Sequence, residues 1–177
     1  MITLNTQKVN KINMVLYKVE PIQEILKLIF ASGYVKNAYP ISALVIAEVG
    51  AGKTSVLRRF KNSTNKGIAY ITDATAFGIT KHLYYEIVNK DIRHIIIPDL
   101  ITPLSKSKST VNSFIAFMNA LIEEGVVRII SFAVPDEIKK EVKCGLVTSI
   151  TRSDLFSVKK GWSRIGFLSR MIPISYS

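Results

Sequence analysis

An apolar run, ISALVIA (residues 41–47), passes directly into the tight stretch EVGAGKTS (48–55), and no other part of the chain narrows its possible folds so much. Apart from Ser42 the run is apolar, which predicts a parallel strand covered on both faces rather than a half-exposed one. Gly50 and Gly52 let the backbone curl through conformations that favour glycine, so that successive N–H groups can point at one anion. In that loop Val49, Gly50, Ala51, Gly52, Lys53, Thr54 and Ser55 form the expected cradle. Lys53 reaches the β- and γ-phosphates as a point charge, Thr54 offers its hydroxyl to magnesium, and the following helix adds its N-terminal dipole. The pattern is GxxxxGK[ST] with Ala47 at its first glycine position, where a small side chain is tolerated. A chance GKT in a loop is the competing reading. The strand before and the helix after are the context that the motif demands, and they predict binding of a nucleoside triphosphate, ATP with Mg2+.

A phosphate loop of this kind works with an acid at the carboxyl end of a second strand. IIIPD ends in Asp99, which suits that magnesium-binding role; the alternative is that Asp99 only caps the next element. Most motors of this class carry a glutamate next, to polarise the attacking water. Here the next residue is Leu100, so either Glu48 or Asp73 stands in, or hydrolysis is slow. Lys53 and Asp99 are the catalytic candidates on this local reading, and Thr54 and Asp99 the metal ligands.

Around the loop, strand and helix signals alternate. Pro21 suits the first turn of a helix carrying Ile22, Ile25, Leu26 and Ile29, which stops at Gly33. After the loop, Val56, Leu57 and Phe60 turn inward on a helix beginning near Lys53. GIAYIT reads as the second strand, residues 75–89 as a helix with a start weakened by Gly78, and IRHIIIPD as the third strand. TVNSFIAFMNALIEE is a helix with Val111, Phe114, Ile115, Met118, Leu121 and Ile122 on one face, ended by Gly125. A hairpin and a further strand follow, then a short helix over residues 153–162 and a last strand, MIPISYS; residues 1–19 hold one short strand through MVLYKV. This predicts an α/β three-layer sandwich with a mainly parallel five-stranded sheet, as one domain over residues 1–177 with 1–40 as an N-terminal extension.

The chain has 177 residues, 48% of them hydrophobic and 21% charged, which suits one globular domain and argues against disorder. The single cysteine, Cys144, excludes an internal disulfide; no segment reads as a signal peptide or a membrane span, so a cytoplasmic location is expected. A net charge of +11 attracts polyanions, nucleic acid first among them, although many basic proteins touch none. His94 has no cysteine or second histidine at ligand spacing, His82 reads as a helix-surface residue, and Cys144 as a buried thiol. Trp162, Tyr84 and Tyr85 read as packing residues.

From about residue 42 to 177 the order of elements resembles the AAA+ superfamily, and within it the branch with an extra β-hairpin before the sensor-1 strand, which includes the MCM helicases. The likeness rests on IEEGVVRI (122–129), CGLVTSIT (144–151) and GFLSRM (166–171), with a weaker match at FGIT (77–80). The resemblance implies that Arg170 is an arginine finger reaching the γ-phosphate held by a neighbouring subunit, a role suited to a forked cation. The alternative is an arginine paired with a local carboxylate. It implies sensor-1 duty for Thr151, with Ser149 close behind, unless both are strand-end hydroxyls. Lys139, Lys140 and Lys143 would then lie on or just after a hairpin that faces DNA, unless they form a solvated face. It further implies a homo-oligomer, a hexameric ring or filament, acting on DNA as a helicase-like motor, loader or helper. A low-turnover nucleotide switch or scaffold and a remodelling ATPase acting on protein are the other readings. The chain departs from the family at Leu100 and in lacking a helical lid after the fifth strand.

Overall fold

The computed structural model describes residues 19–61, 67–125 and 142–176, leaving aside the side chain of Arg164. Among them five strands, β1 (Ala43–Ala47), β2 (Ile68–Tyr70), β3 (His94–Ile97), β4 (Gly145–Thr151) and β5 (Ile172–Ser175), form one sheet in the order β2-β3-β4-β1-β5. Every pairing in it is parallel. Helix α1 (Glu20–Ser32) precedes β1. Parallel neighbours need crossover connections, and helices α2 (Lys53–Arg58), α3 (Ala76–Val88), α4 (Ile101–Leu104), α5 (Lys108–Asn119) and α6 (Arg152–Arg164) supply them. The expected strand through residues 14–19 and the expected hairpin before β4 fall almost wholly outside the described residues.

Alternation along β1 divides the core into two layers. Leu44 and Ile46 join Ile95, Ile97, Leu146 and Ile150 on the face covered by α3, α5 and α6. Ala43 and Val45 join Ile96, Val147 and Ile174 on the face covered by α1 and α2. The result is a three-layer α/β sandwich, and β1 and β3 are buried on both faces as their continuous apolar character predicts.

Local chemistry explains the helix boundaries. Pro21 occupies the first turn of α1, which buries Ile22, Leu26, Ile29 and Phe30 and turns Ile25 outward. The start of α3, where Gly78 stands, is capped: the Thr75 hydroxyl accepts the Gly78 N–H at 2.9 Å. The Ser107 hydroxyl caps α5 in the same way. That helix then widens into one π-turn, Ala120–Glu124, which ends at Gly125 with φ +80°.

The buried imidazole of His94 sits where β3 meets α1, edge-on to the Phe30 ring with centroids 5.3 Å apart. A Cβ at Gly33 or Gly145 would run into that ring, so both positions need glycine for close approach rather than for backbone freedom. Burial lowers the His94 pKa to about 4, with the contact to the Ile41 carbonyl opposing the shift. Its Nδ1 has no hydrogen-bond partner among the described residues.

Candidate phosphate-binding site

The glycine loop, the candidate phosphate cradle, leaves the carboxyl end of β1 at Ala47 and enters α2 at Lys53. Gly50 and Gly52 both have φ +80°, the left-handed region, and a Cβ added at either would meet nothing within 4 Å. The glycines are therefore required for backbone conformation, and the space in front of them is an open cradle. The Ala51 N–H closes a turn onto the Glu48 carbonyl at 3.2 Å. Lys53 curls across the loop, its ammonium donating to the carbonyls of Ala47 at 3.0 Å and Glu48 at 2.7 Å. Thr54 and Ser55 are exposed at the start of α2, and Val49 projects into solvent.

Strand order brings three strand ends together here. β4 lies between β1 and β3, with Ala47 opposite Thr151 and Ile97 opposite Thr148. β4 separates the end of β3 from the end of β1, and Asp99 lies two residues beyond Ile97, past a bend at Pro98. Its carboxylate accepts the Ile101 N–H at 3.1 Å, so it does cap α4; its side chain remains exposed at the sheet edge.

Leu100 points the other way. It is fully buried in the layer beneath α5, and its N–H donates to the Ser149 carbonyl at 2.9 Å. The residue after Asp99 therefore belongs to the core and not to the cradle. Of the two carboxylates considered as replacements, Asp73 lies beyond β2 at the far side of the sheet and pairs with Lys106 at 2.7 Å. Glu48 stands at the loop itself, 3.4 Å from Arg152 Nε.

The β4 hydroxyls have structural partners. Thr151 caps α6: it accepts the Asp154 N–H at 3.1 Å and donates to the Asp154 carboxylate at 2.5 Å. Ser149 donates to the Pro98 carbonyl at 2.6 Å and so ties β4 to the end of β3. Thr151, opposite Ala47 in the sheet, stands level with the start of the loop, and Ser149 lies two residues further back.

Arg170 is at the opposite end of the sheet. It closes a 3-10 turn, Leu168–Arg170, just before β5 begins, whereas the phosphate loop lies beyond the carboxyl end of β1. Its Nη1 donates to the Gly166 carbonyl at 2.6 Å, and its Nε lies 2.5 Å from the Glu123 carboxylate. Glu124 is 3.4 Å from Nη2. Gly166 has φ +70°, and a Cβ there would also strike the guanidinium. The local-carboxylate alternative thus describes Arg170 within this chain.

Lys139 and Lys140 lie outside the described residues. Lys143 stands before β4, at the amino end of the sheet, with its ammonium 3.3 Å from the centre of the Tyr39 ring. Cys144 is buried, as expected, and desolvation pushes its thiol pKa up. His82 is exposed on α3, Trp162 and Tyr84 are buried, and Tyr85 is exposed.

Two side chains at the loop carry no motif and are visible only in the fold. Tyr176 donates its phenol hydrogen to the Ala51 carbonyl at 3.1 Å. Arg152 opens α6 and donates to Ser175 Oγ at 3.2 Å and to the Tyr176 carbonyl at 3.4 Å, beside Glu48. Among the described residues no cluster of three His, Cys, Asp or Glu side chains is placed to hold a metal. Nor is any described helix long and apolar enough to cross a membrane. No protein-family model matches the chain, and no curated protein matches it.

Proposed function

We propose that this chain is an ATP- and Mg2+-binding protein of the P-loop class, of AAA+ type, which assembles with itself, shares its nucleotide site between subunits and acts on DNA. The observation that carries the reading is the loop with left-handed Gly50 and Gly52, which leaves a buried parallel strand and opens a helix at Lys53. Ligands of parallel α/β sheets bind outside the carboxyl ends of the strands, which is where this loop lies.

The residues present suit the nucleotide and its metal. The cradle is open, and Lys53 carries its charge across the cradle's mouth. Mg2+ keeps several waters and takes few protein ligands, so the Thr54 hydroxyl and Asp99, together with phosphate oxygens, are a sufficient set. Thr54 and Asp99 would hold the ion, which would supply positive charge to offset that of the phosphates. Lys53 would exchange its two loop carbonyls for phosphate oxygens, a stronger pairing of opposite charges.

Two observations favour slow hydrolysis: Leu100 is buried in the core, and Glu48, the described carboxylate considered at the loop in its place, is paired with Arg152. The chain then acts as a nucleotide-dependent switch with low turnover. Arg170 lies too far around the sheet to serve its own loop, so a finger role requires a neighbour and release from Glu123 and Glu124. Support for DNA comes from the net charge of +11. Light scattering with and without Mg·ATP, alongside a turnover assay, tests the shared site. Assembly driven by ATP and slow turnover abolished by Arg170→Ala are expected. A chain that stays monomeric, with turnover indifferent to Arg170→Ala, would sink the shared-site reading.

A further inference from the structure

The loop is held from outside by the strand next to it. β5 flanks β1, and beyond its last residue the Tyr176 N–H donates to the Ile46 carbonyl at 3.1 Å, extending the ladder to the threshold of the loop. This brings the Tyr176 ring alongside the cradle, where its hydroxyl donates to the Ala51 carbonyl at 3.1 Å. Arg152 secures the same corner, bonding the Tyr176 carbonyl and Ser175 while standing 3.4 Å from Glu48. The contacts form a closed circuit: Glu48, Arg152, Tyr176 and Ala51, with the loop backbone completing it.

The bond to Ala51 has a directional consequence. In a trans peptide the carbonyl and the N–H of the next residue point in opposite directions, and no peptide here is cis. Fixing the Ala51 oxygen on the outer side of the loop therefore aims the Gly52 N–H inward, to the mouth of the cradle. The Ala51 N–H is already spent on Glu48, so Gly52 supplies the first amide that this part of the loop can offer an anion. With φ +80° and no side chain, the Ala51–Gly52 peptide has little else to stop it from flipping. Burial pushes the Tyr176 pKa up, so the phenol keeps the proton it donates.

We infer that Tyr176, braced by Arg152, is a positioning residue that locks the Ala51–Gly52 peptide with its N–H presented to the phosphate chain of the ligand. This rests on the phosphate-binding reading above and adds to it the part of the chain that sets the loop for anions.

The test uses inorganic tripolyphosphate, which has no base or sugar, beside Mg·ATP, with the full chain. Tyr176→Phe removes one hydroxyl and keeps the ring. It should weaken tripolyphosphate and ATP equally, by about 5- to 10-fold, the value of one hydrogen bond. The Gly52 amide resonance should shift on adding tripolyphosphate to the wild type and shift much less in Tyr176→Phe. A lowered melting temperature with unchanged affinities and an unchanged Gly52 response would show a purely structural tyrosine and overturn the inference. If the wild type binds neither probe, the phosphate-loop reading falls and this inference with it. If the wild type binds and Tyr176→Phe binds as well, only the inference falls.

Discussion

Arg170 Nε lies 2.5 Å from Glu123 Oε2, and this pair, with Glu124 3.4 Å from Nη2, anchors the turn before β5 to the end of the α5 layer. The carboxylates are largely exposed, so the pairing contributes about 1 kcal/mol or less to stability. The double variant Glu123→Gln, Glu124→Gln should lower the melting temperature by no more than about 4 °C. It should also raise ATP turnover in the assembled state by freeing the guanidinium for a neighbour. Thermal melts and a concentration series of the ATPase rate check both parts; unchanged turnover at every concentration counts against the finger role.

Leu100 occupies the place where a catalytic glutamate is expected, yet it faces the core. Leu100→Glu should therefore fail to raise hydrolysis. It should destabilise the fold by about 3 kcal/mol or more, from lost apolar burial and an unpaired carboxylate. Urea denaturation measures the loss. A stable variant with faster turnover would mean that the end of β3 is turned differently.

The Thr148 hydroxyl is fully buried on β4 with no hydrogen-bond partner among the described residues. Replacing it by a methyl group removes a desolvated polar atom. Thr148→Val should stabilise the protein by about 1 kcal/mol, read as a higher urea midpoint at unchanged slope.

His94 links stability to pH. Its pKa falls from 6.5 to about 4 on burial, so the unfolded chain binds the extra proton over that interval and the folded chain does not. Stability is fullest above pH 6.5, declines as pH falls towards 4, and loses up to about 3 kcal/mol by that point. His94→Leu should flatten this slope when urea midpoints are compared at pH 7 and pH 4.5. An equal slope in the variant would assign the acid sensitivity to other groups.

The sequence made the glycine loop between strand and helix, the strands around it and the amphipathic helices legible because each is a local pattern. The loop needs its glycines within a few residues of one another, and α1 and α5 repeat their apolar residues every turn. What stayed hidden depends on which strands become neighbours. Tyr176 follows the last strand with no motif to mark it, and it reaches Ala51 only because β5 lies beside β1. Arg152 is likewise one basic residue among many until the first turn of α6 sets it against Glu48. Asp99 was recognisable as a strand-end acid, but its bond to the Ile101 N–H and the inward turn of Leu100 follow from the packing of α4. The direction in which Gly166 lets Arg170 fold back likewise comes from tertiary contacts that spacing does not encode.

In the proposed function the loop from Glu48 to Thr54 grips a triphosphate through its backbone and Lys53. Calorimetric titration of Mg·ATP into the wild type and into Lys53→Ala tests it most directly. One nucleotide per chain is expected, with an affinity at least tenfold weaker in a folded Lys53→Ala, since a charge-assisted contact of this kind is worth about 1.5–3 kcal/mol. No heat of binding in the wild type, or equal affinity in the two proteins, would contradict the account.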